Sequence, residues 1–276
     1  MKNDMRYFDA HFHLFDDSTF GDTLAANIGD SADRSFFFNK YCNNGNMIGG
    51  ILMGNGPLEL QGKELPAGFY YCLGLDDEKY FEDFDGTQDI IENHLKKSKC
   101  VGVKLYPGYI SRYPNDELYH PLFELLCKYN KVLAIHTGML AGAGGKLKYA
   151  NPIYLDDIAT NFPQLKIVMC HFGNPFLSEA AAVMEKNSNV YADLSGLIEG
   201  DFNIRAFCKS EKNYIKALKT WIQYTGAYNR FMFGTDWPAV NGKKYCKFIA
   251  SLFPRKYIDN VMYKNAMEIY QIKEIF

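Results

Sequence analysis

The chain has 276 residues, 47% hydrophobic and 22% charged, with 30 basic against 32 acidic side chains and a formal net charge of −2. This composition is that of a globular protein with a sizeable core, and it excludes extensive disorder. No basic run could neutralise a phosphate backbone and no stretch approaches the roughly 20 apolar residues of a membrane span, so nucleic-acid and membrane partners are not expected.

Eight short apolar runs, bounded by Gly, Pro or Asn, follow one another along the chain and are typical of β-strands. They are nearly continuous in hydrophobicity rather than alternating, which favours parallel strands that are covered on both faces. The predicted strands are residues 7–15, 46–53, 68–75, 100–107, 131–138, 166–173, 189–196 and 230–238.

Helical patterns separate most of these strands. Eight strand-helix repeats predict a (β/α)8 TIM barrel, and a chain of this length fits one domain over residues 1–276. Residues 54–67 are too short and rich in Gly and Pro for a helix, so the barrel is expected to be distorted by a weak crossover between strands 2 and 3. Residues 16–45 and 197–210 are expected to be irregular insertions at the catalytic face. The predicted helices are 87–97 with Thr87 as N-cap, 115–129, 152–161, 175–187, 211–224 and two after the eighth strand.

His11 and His13 lie at the end of the first predicted strand. Residues at i and i+2 of a strand point to the same face, so both imidazoles are expected to aim into the barrel while Phe12 and Leu14 face the helices. Two imidazoles on one face form a chelating pair. The alternative is a pair of hydrogen-bonded interior histidines.

His136 and Asp236 end the fifth and eighth predicted strands, and a barrel would bring them to the same mouth as the first-strand pair. Three imidazoles and a carboxylate suit one divalent metal ion, Zn²⁺ first, with Mn²⁺ or Fe²⁺ as alternatives. For Asp236 alone, a turn or helix-capping carboxylate is the competing interpretation.

Lys104 should point inward at the end of the fourth strand, because Val103 and Leu105 alternate to the other face. It could be carbamylated and bridge a second metal, bind a substrate carboxylate as an ammonium, or pair with an acid as a structural charge. We favour the second interpretation, which leaves the site mononuclear. Arg112 and Arg205, near loops of the catalytic face, are further candidates for contact with a substrate anion.

His171 ends the sixth strand and is a candidate for a further ligand or for a catalytic group that orients the substrate. Its neighbour Cys170 should then face away from the mouth, which argues against a cysteine nucleophile. The Gly-rich residues 141–150 fit no phosphate-binding spacing and are expected to form a mobile lid.

Five motifs together resemble the amidohydrolase superfamily: H-x-H on strand 1, G-V-K-L-Y-P on strand 4, I-H-T-G on strand 5, C-H-F-G on strand 6 and G-T-D-W-P on strand 8. More narrowly, the chain resembles the amidohydrolase-related branch that includes aminocarboxymuconate semialdehyde decarboxylase. The resemblance covers essentially the whole chain, including Asp193-Leu194-Ser195-Gly196 on strand 7.

The resemblance implies a mononuclear metal site on His11, His13, His136 and Asp236, with Asp236 as general base and His171 as catalytic histidine. It implies hydrolysis of a small carboxylated or cyclic amide, lactone or ester. The alternatives are decarboxylation of a carboxylated aromatic or muconate-like acid, a metal-independent lactonase-like enzyme, and a non-catalytic binding protein. We expect a cytoplasmic enzyme with a small-molecule substrate; a homodimer is left open.

Overall fold

The computed structural model describes residues 5–15, 19–42, 46–82, 84–142 and 144–273. Its eight strands are all parallel and neighbour one another in chain order, from β1 to β8. Each predicted strand is therefore confirmed. The strands are β1 (Tyr7–Phe12), β2 (Met47–Met53), β3 (Phe69–Leu75), β4 (Cys100–Leu105), β5 (Val132–Ile135), β6 (Ile167–Met169), β7 (Val190–Asp193) and β8 (Phe231–Met232).

The segment that follows β8 runs beside β1 and closes the sheet. The amide of Ala10 donates to the carbonyl of Phe233 at 2.9 Å, and the amide of Asp236 donates to the carbonyl of His11 at 2.8 Å. With helices between most strands, this is the predicted (β/α)8 barrel. No helix in the described ranges is both long and apolar enough to cross a membrane.

Most of the predicted helices are present between the strands. The predicted N-cap Thr87 is wrong, because α4 begins three residues earlier, at Phe84, and Thr87 lies inside it. The helices are α1 (Thr19–Ala26), α2 (Arg34–Phe37), α3 (Lys79–Glu82), α4 (Phe84–Leu95), α5 (His120–Tyr129), α6 (Leu155–Asn161), α7 (Leu177–Lys186), α8 (Ile204–Ser210), α9 (Lys212–Thr225), α10 (Gly242–Ser251) and α11 (Asn265–Ile269).

The two segments expected to be irregular contain short helices, which corrects the sequence prediction. Residues 16–45 carry α1 and α2, and residues 197–210 carry α8; residues 16–18 and 43–45 lie outside the described ranges. Side-chain caps start two of these helices: Asp33 accepts from the amide of Phe36, and Asn203 accepts from the amides that open α8. Helices of four to eight residues are too short to show the periodicity by which longer helices are recognised.

The weak crossover between β2 and β3 is confirmed, since residues 54–67 contain only a 3₁₀ turn, Leu58–Leu60. The side chain of Gln61 holds this segment in place of a helix. Its Nε2 donates to the carbonyls of Gly56 and Gly74, and its Oε1 accepts from the amide of Gly74.

Buried apolar residues form two clusters, one on each face of the sheet. Along β5, Leu133 and Ile135 belong to the cluster between sheet and helices, whereas Val132 and Ala134 belong to the cluster inside the barrel. We call the inner cluster the barrel floor. Its strand residues include Phe8, Ala10, Ile51, Met53, Cys72, Val101, Val132, Ala134, Val168 and Met232.

Candidate active site

His11 and His13 direct their rings to one point at the mouth of the barrel, as the strand alternation predicted. Their Nε2 atoms lie 3.3 Å apart. Phe12 packs on the opposite face, in the outer cluster. His11 is completely buried, while His13 borders the cavity described below.

Asp236 completes a compact group with these two histidines. Its Oδ1 lies 3.2 Å from Nε2 of His11 and 3.4 Å from Nε2 of His13. The residue has a left-handed backbone, with φ of 63°, and its amide bonds to the carbonyl of His11. This uncommon conformation and the bond to β1 turn the carboxylate toward the histidine pair.

The outer nitrogen of each first-strand histidine is held by an acceptor. Nδ1 of His11 lies 2.9 Å from Oδ2 of Asp193, and Nδ1 of His13 lies 2.9 Å from the carbonyl oxygen of Met53. Burial alone would raise the pKa of Asp193, but the adjacent His11 holds it far below its usual range, so the group is a carboxylate. Neither acceptor has a proton to give. Both Nδ1 atoms therefore donate, and in the neutral form of each ring Nε2 turns a lone pair toward the centre.

The histidines that follow β5 and β6 are held in the same way, each with its outer nitrogen donating to a carbonyl. Nε2 of His136 donates to the carbonyl of Met139 at 3.1 Å, and Nδ1 of His171 donates to the carbonyl of Ser195 at 3.1 Å. The inner nitrogens, Nδ1 of His136 and Nε2 of His171, then face each other at 3.1 Å with lone pairs. Four imidazoles are thus fixed with their lone pairs directed into the mouth.

Such an arrangement can hold a cation at its centre. Ligand atoms 2.0–2.2 Å from a tetrahedral zinc lie roughly 3.3–3.6 Å from one another, and the three separations among His11, His13 and Asp236 are 3.3, 3.2 and 3.4 Å. The donor set therefore fits a divalent metal. His136 stands outside this compact group and connects to it through His171.

The charges at the mouth are set by burial and by neighbours. Burial alone would raise the pKa of Asp236, but His171, His11 and His13 hold it well below its usual range. Burial lowers the pKa of His171 to about 4 and that of His136 well below its usual value. It would lower the pKa of His11 also, yet Asp193 outweighs it, and this pKa is raised well above its usual value. A proton on His11 and a metal ion would compete for the same lone pair.

The backbone leaves regular alternation where β6 ends. His171, Phe172 and Gly173 all have positive φ, of 62°, 45° and 64°. This turn directs His171 into the mouth although Cys170, the preceding residue, also points inward. Cys170 lies in the barrel floor rather than on the helix side and does not line the cavity.

Lys104 points inward, as predicted, but toward the floor. Its side chain is fully buried, and Nζ lies 2.7 Å from Sγ of Cys170. Arg112 pairs with Asp116 at 3.2 Å, and Arg205 is exposed on α8. The described lining of the cavity includes none of these three cations, so their predicted contact with a substrate anion gains no support from this geometry.

A cavity of about 310 Å³ opens above the histidines, a size that suits a small-molecule ligand. Ala141, from the predicted lid, contributes to its wall; Ala143 lies outside the described ranges, and the lid stays a prediction. The lining residues are His13, Phe15, Phe20, Leu24, Asn55, Asp76, Tyr106, Tyr109, His136, Ala141, His171, Glu199, Asp236 and Ala239.

The comparison with protein families decides the classification. The family model described as Amidohydrolase matches residues 66–272, three quarters of the chain. The chain belongs to this amidohydrolase family. No curated protein sequence gives a significant match.

Solved structures similar to this chain include two decarboxylases and a probable hydrolase. The 5-carboxyvanillate decarboxylase from Sphingomonas paucimobilis is 14% identical with a TM-score of 0.69, covering 98% of this chain and 100% of its own. The 2,6-dihydroxybenzoate decarboxylase from Rhizobium has the same identity and TM-score, with 97% and 99% coverage. A probable 2-pyrone-4,6-dicarboxylic acid hydrolase from Acinetobacter baumannii is 16% identical, with a TM-score of 0.62 and 97% and 100% coverage. At these identities the likeness shows the barrel fold.

Two residues of the amidohydrolase site were not assigned a role from the sequence. Asp193 bonds to His11 and accepts from the amides of His171 and Ser195 at 3.0 and 3.1 Å. The hydroxyl of Ser195 donates to Asp193 at 2.5 Å and lies 2.8 Å from Nδ1 of His171. Their position at the end of β7, in the motif D-L-S-G, was the signal that could have identified them.

Proposed function

We propose that the protein is a metal-dependent hydrolase of a small cyclic amide, lactone or ester. The observation that carries the proposal is the inward orientation of four imidazole lone pairs around a carboxylate. Each orientation is imposed by a separate outer acceptor: Asp193, Met53, Met139 and Ser195. Outer acceptors that hold the second ring nitrogen in this way are typical of metal-ligating histidines.

His11, His13, His136 and Asp236 would hold one divalent ion. Zinc is the first choice, since three imidazoles and a carboxylate match its preferences, with manganese or iron as alternatives. When bound, the ion supplies Lewis-acid activation by lowering the pKa of a water toward neutrality.

Asp236 would act as general base. The neighbouring histidines keep it ionised at neutral pH, so its carboxylate can accept a proton from the attacking water and pass it to the leaving group. The left-handed Gly196 leaves room beside it, since a side chain there would come within 3.1 Å of Oδ2 of Asp236. His171 is neutral near pH 7, with Nδ1 held by Ser195, so its Nε2 accepts a hydrogen bond and orients the substrate.

Labelling with oxygen-18 water tests the reaction class. Zinc-loaded protein would be screened on cyclic amides, lactones, esters and carboxylated aromatics, with products read by mass spectrometry. We expect one labelled oxygen per turnover, in the carboxyl group of the acid product. Release of carbon dioxide with no label in the organic product would replace hydrolysis by decarboxylation, and full turnover by metal-free protein would replace it by a metal-independent lactonase mechanism.

The Asp236→Asn variant tests the role of the carboxylate. Loss of the general base is expected to lower turnover at least about 100-fold. The matched control is Asp201→Asn, which removes an exposed carboxylate that pairs with Lys244. Equal turnover in Asp236→Asn and Asp201→Asn would contradict the assignment.

A further inference from the structure

The wall of the cavity carries acidic groups with no basic counterpart. Besides Asp236, the carboxylates of Asp76 and Glu199 line it, and no Lys or Arg does so among the described residues. Among the residues that lie outside the described ranges, only Lys2 is basic. A divalent ion would more than balance Asp236, but the three carboxylates together still exceed its charge by one, so the wall stays acidic.

Asp76 stands immediately after β3, where its orientation is fixed. Its Oδ2 accepts from the amide of Gly56 at 2.8 Å, and Gly56 is itself held by Gln61. In the part of the chain that the structure describes, no other residue forms a hydrogen bond or an ion pair with Oδ1. The nearby Lys79 pairs with Asp77 instead, at 2.6 Å. One carboxylate oxygen of Asp76 is thus available to a ligand.

Glu199 follows β7, four strands away around the mouth, and likewise forms no ion pair within the described ranges. Between these acids the cavity has aromatic walls, formed by Phe15, Phe20, Tyr106 and Tyr109. The hydroxyl of Tyr106 donates to the carbonyl of Gly54, and that of Tyr109 accepts from the amide of Ala141 at 2.7 Å. The Tyr106 proton is therefore already used, and the cavity offers more acceptors than donors.

We propose that the amide, lactone or ester substrate is planar and carries a cationic nitrogen group, such as an amine or amidine, rather than a carboxylate. Aromatic faces and unpaired carboxylates both attract a cation, and both repel a carboxylate. This inference rests on the proposed hydrolase function and specifies its substrate class. It separates this chain from structural neighbours whose names refer to carboxylated compounds.

Three probes of nearly equal shape and different charge test the proposal: benzamidine, benzamide and benzoate. Their dissociation constants would be measured on the zinc-loaded protein by ligand titration followed by NMR. We expect benzamidine to bind at least about ten-fold more tightly than benzoate, with benzamide between them. Tightest binding by benzoate would overturn the proposal.

The double variant Asp76→Asn/Glu199→Gln tests whether these two carboxylates cause the preference for benzamidine over benzoate. We expect the benzamidine-to-benzoate affinity ratio to fall about ten-fold. Any contribution from benzoate bound to the metal is common to both proteins and cancels in this comparison. Asp77→Asn is the matched control, since it removes a neighbouring charge that does not line the cavity, and its ratio should stay unchanged. An unchanged ratio in the double variant would also overturn the proposal.

The inference about substrate charge and the hydrolase proposal can each fail while the other holds. Metal content and oxygen-18 incorporation report on the reaction, whereas the probe ratio reports on the wall. A metal-loaded hydrolase that prefers benzoate would retain the proposed function and lose this inference. A protein without metal that prefers benzamidine would retain the acidic wall and lose the hydrolase.

Discussion

The same eight strands build two different zones inside the barrel. In the floor, residues two apart, such as Val132 and Ala134, fill the interior with apolar side chains. Register shifts occur in both zones: between Tyr7 and Phe8 and between Tyr71 and Cys72 at the floor, and between Asp9 and Phe12 toward the mouth. The mouth differs in its left-handed backbone, since His171 and Asp236 adopt positive φ.

This difference shows that strained backbone occurs where side chains are held at fixed positions. Left-handed backbone at a non-glycine residue is unfavourable, and it persists where surrounding contacts impose it. At His171 these contacts come from Asp193, which accepts its amide, and from Ser195, which accepts its ring proton. The floor should therefore contribute stability, and the mouth should contribute binding.

A cavity in the floor is expected to produce the largest loss of stability. Ile51 is fully buried in the inner cluster, so Ile51→Ala should lower the free energy of unfolding by about 2–5 kcal/mol. Ile153→Ala, at a side chain that is 45% exposed, should change it by less than about 0.5 kcal/mol. Denaturant unfolding checks both. Metal content should stay unchanged in both variants; its loss in Ile51→Ala would show that floor and mouth are not independent.

Removing an outer hydrogen bond at the mouth should affect metal affinity more than stability. Ser195→Ala deletes the hydroxyl that donates to Asp193, the outer partner of the proposed ligand His11, and loss of such partners costs about 10–100-fold in metal affinity. Competition with a chelator measures the effect. Ser178→Ala, on the exposed face of α7, is the control. If both variants bound metal as tightly as the unmodified protein, the hydroxyl would have no role in holding Asp193 against His11.

The smallest effect is expected on the helix layer, where charges are exposed. Lys128 and Tyr129 donate to the carboxylate of Glu92 and lower its pKa from 4.5 to about 2. Because the folded pKa is lowered, the stabilisation is present above about pH 4.5 and is lost as the pH falls toward 2. Glu92→Gln should thus be slightly less stable than the parent at pH 6, with a difference that shrinks in acid.

Urea unfolding at several pH values measures this small difference. Glu124→Gln serves as control, because Glu124 is exposed on the same α5 that carries Lys128 and has no ion pair in the described structure. A difference between Glu92→Gln and the parent that grew below pH 4.5 would contradict the sign.

Much of this architecture could be predicted from the sequence because it depends on local patterns. The eight strands follow from short apolar runs bounded by turn residues, and the weak crossover after β2 follows from a short segment rich in Gly and Pro. The inward rings of His11 and His13 follow from the period-two alternation of a strand. Alternation failed for Cys170, because the positive φ of His171 allows neighbouring residues to share the interior. The short helices α1, α2 and α8 lacked enough residues to show a period.

The placement of cations could not be predicted either, because it depends on contacts between distant segments. Lys104 was correctly oriented inward, but its depth in the barrel relative to the cavity follows from the position of Cys170, 66 residues away in sequence. Likewise, the role of Asp193 depends on contact with His11, 182 residues away. Strand patterns give the direction of a side chain and not the partner that it meets.

Metal analysis of the purified protein tests the central claim most directly. Protein prepared without chelator, as the unmodified chain and as His11→Ala, would be assayed for metal per chain by elemental analysis. Four inward lone pairs and Asp236 predict close to one zinc, manganese or iron per unmodified chain and almost none in the variant. No metal in either protein after reconstitution, or equal metal in both, would contradict the metal site on which the proposed function depends.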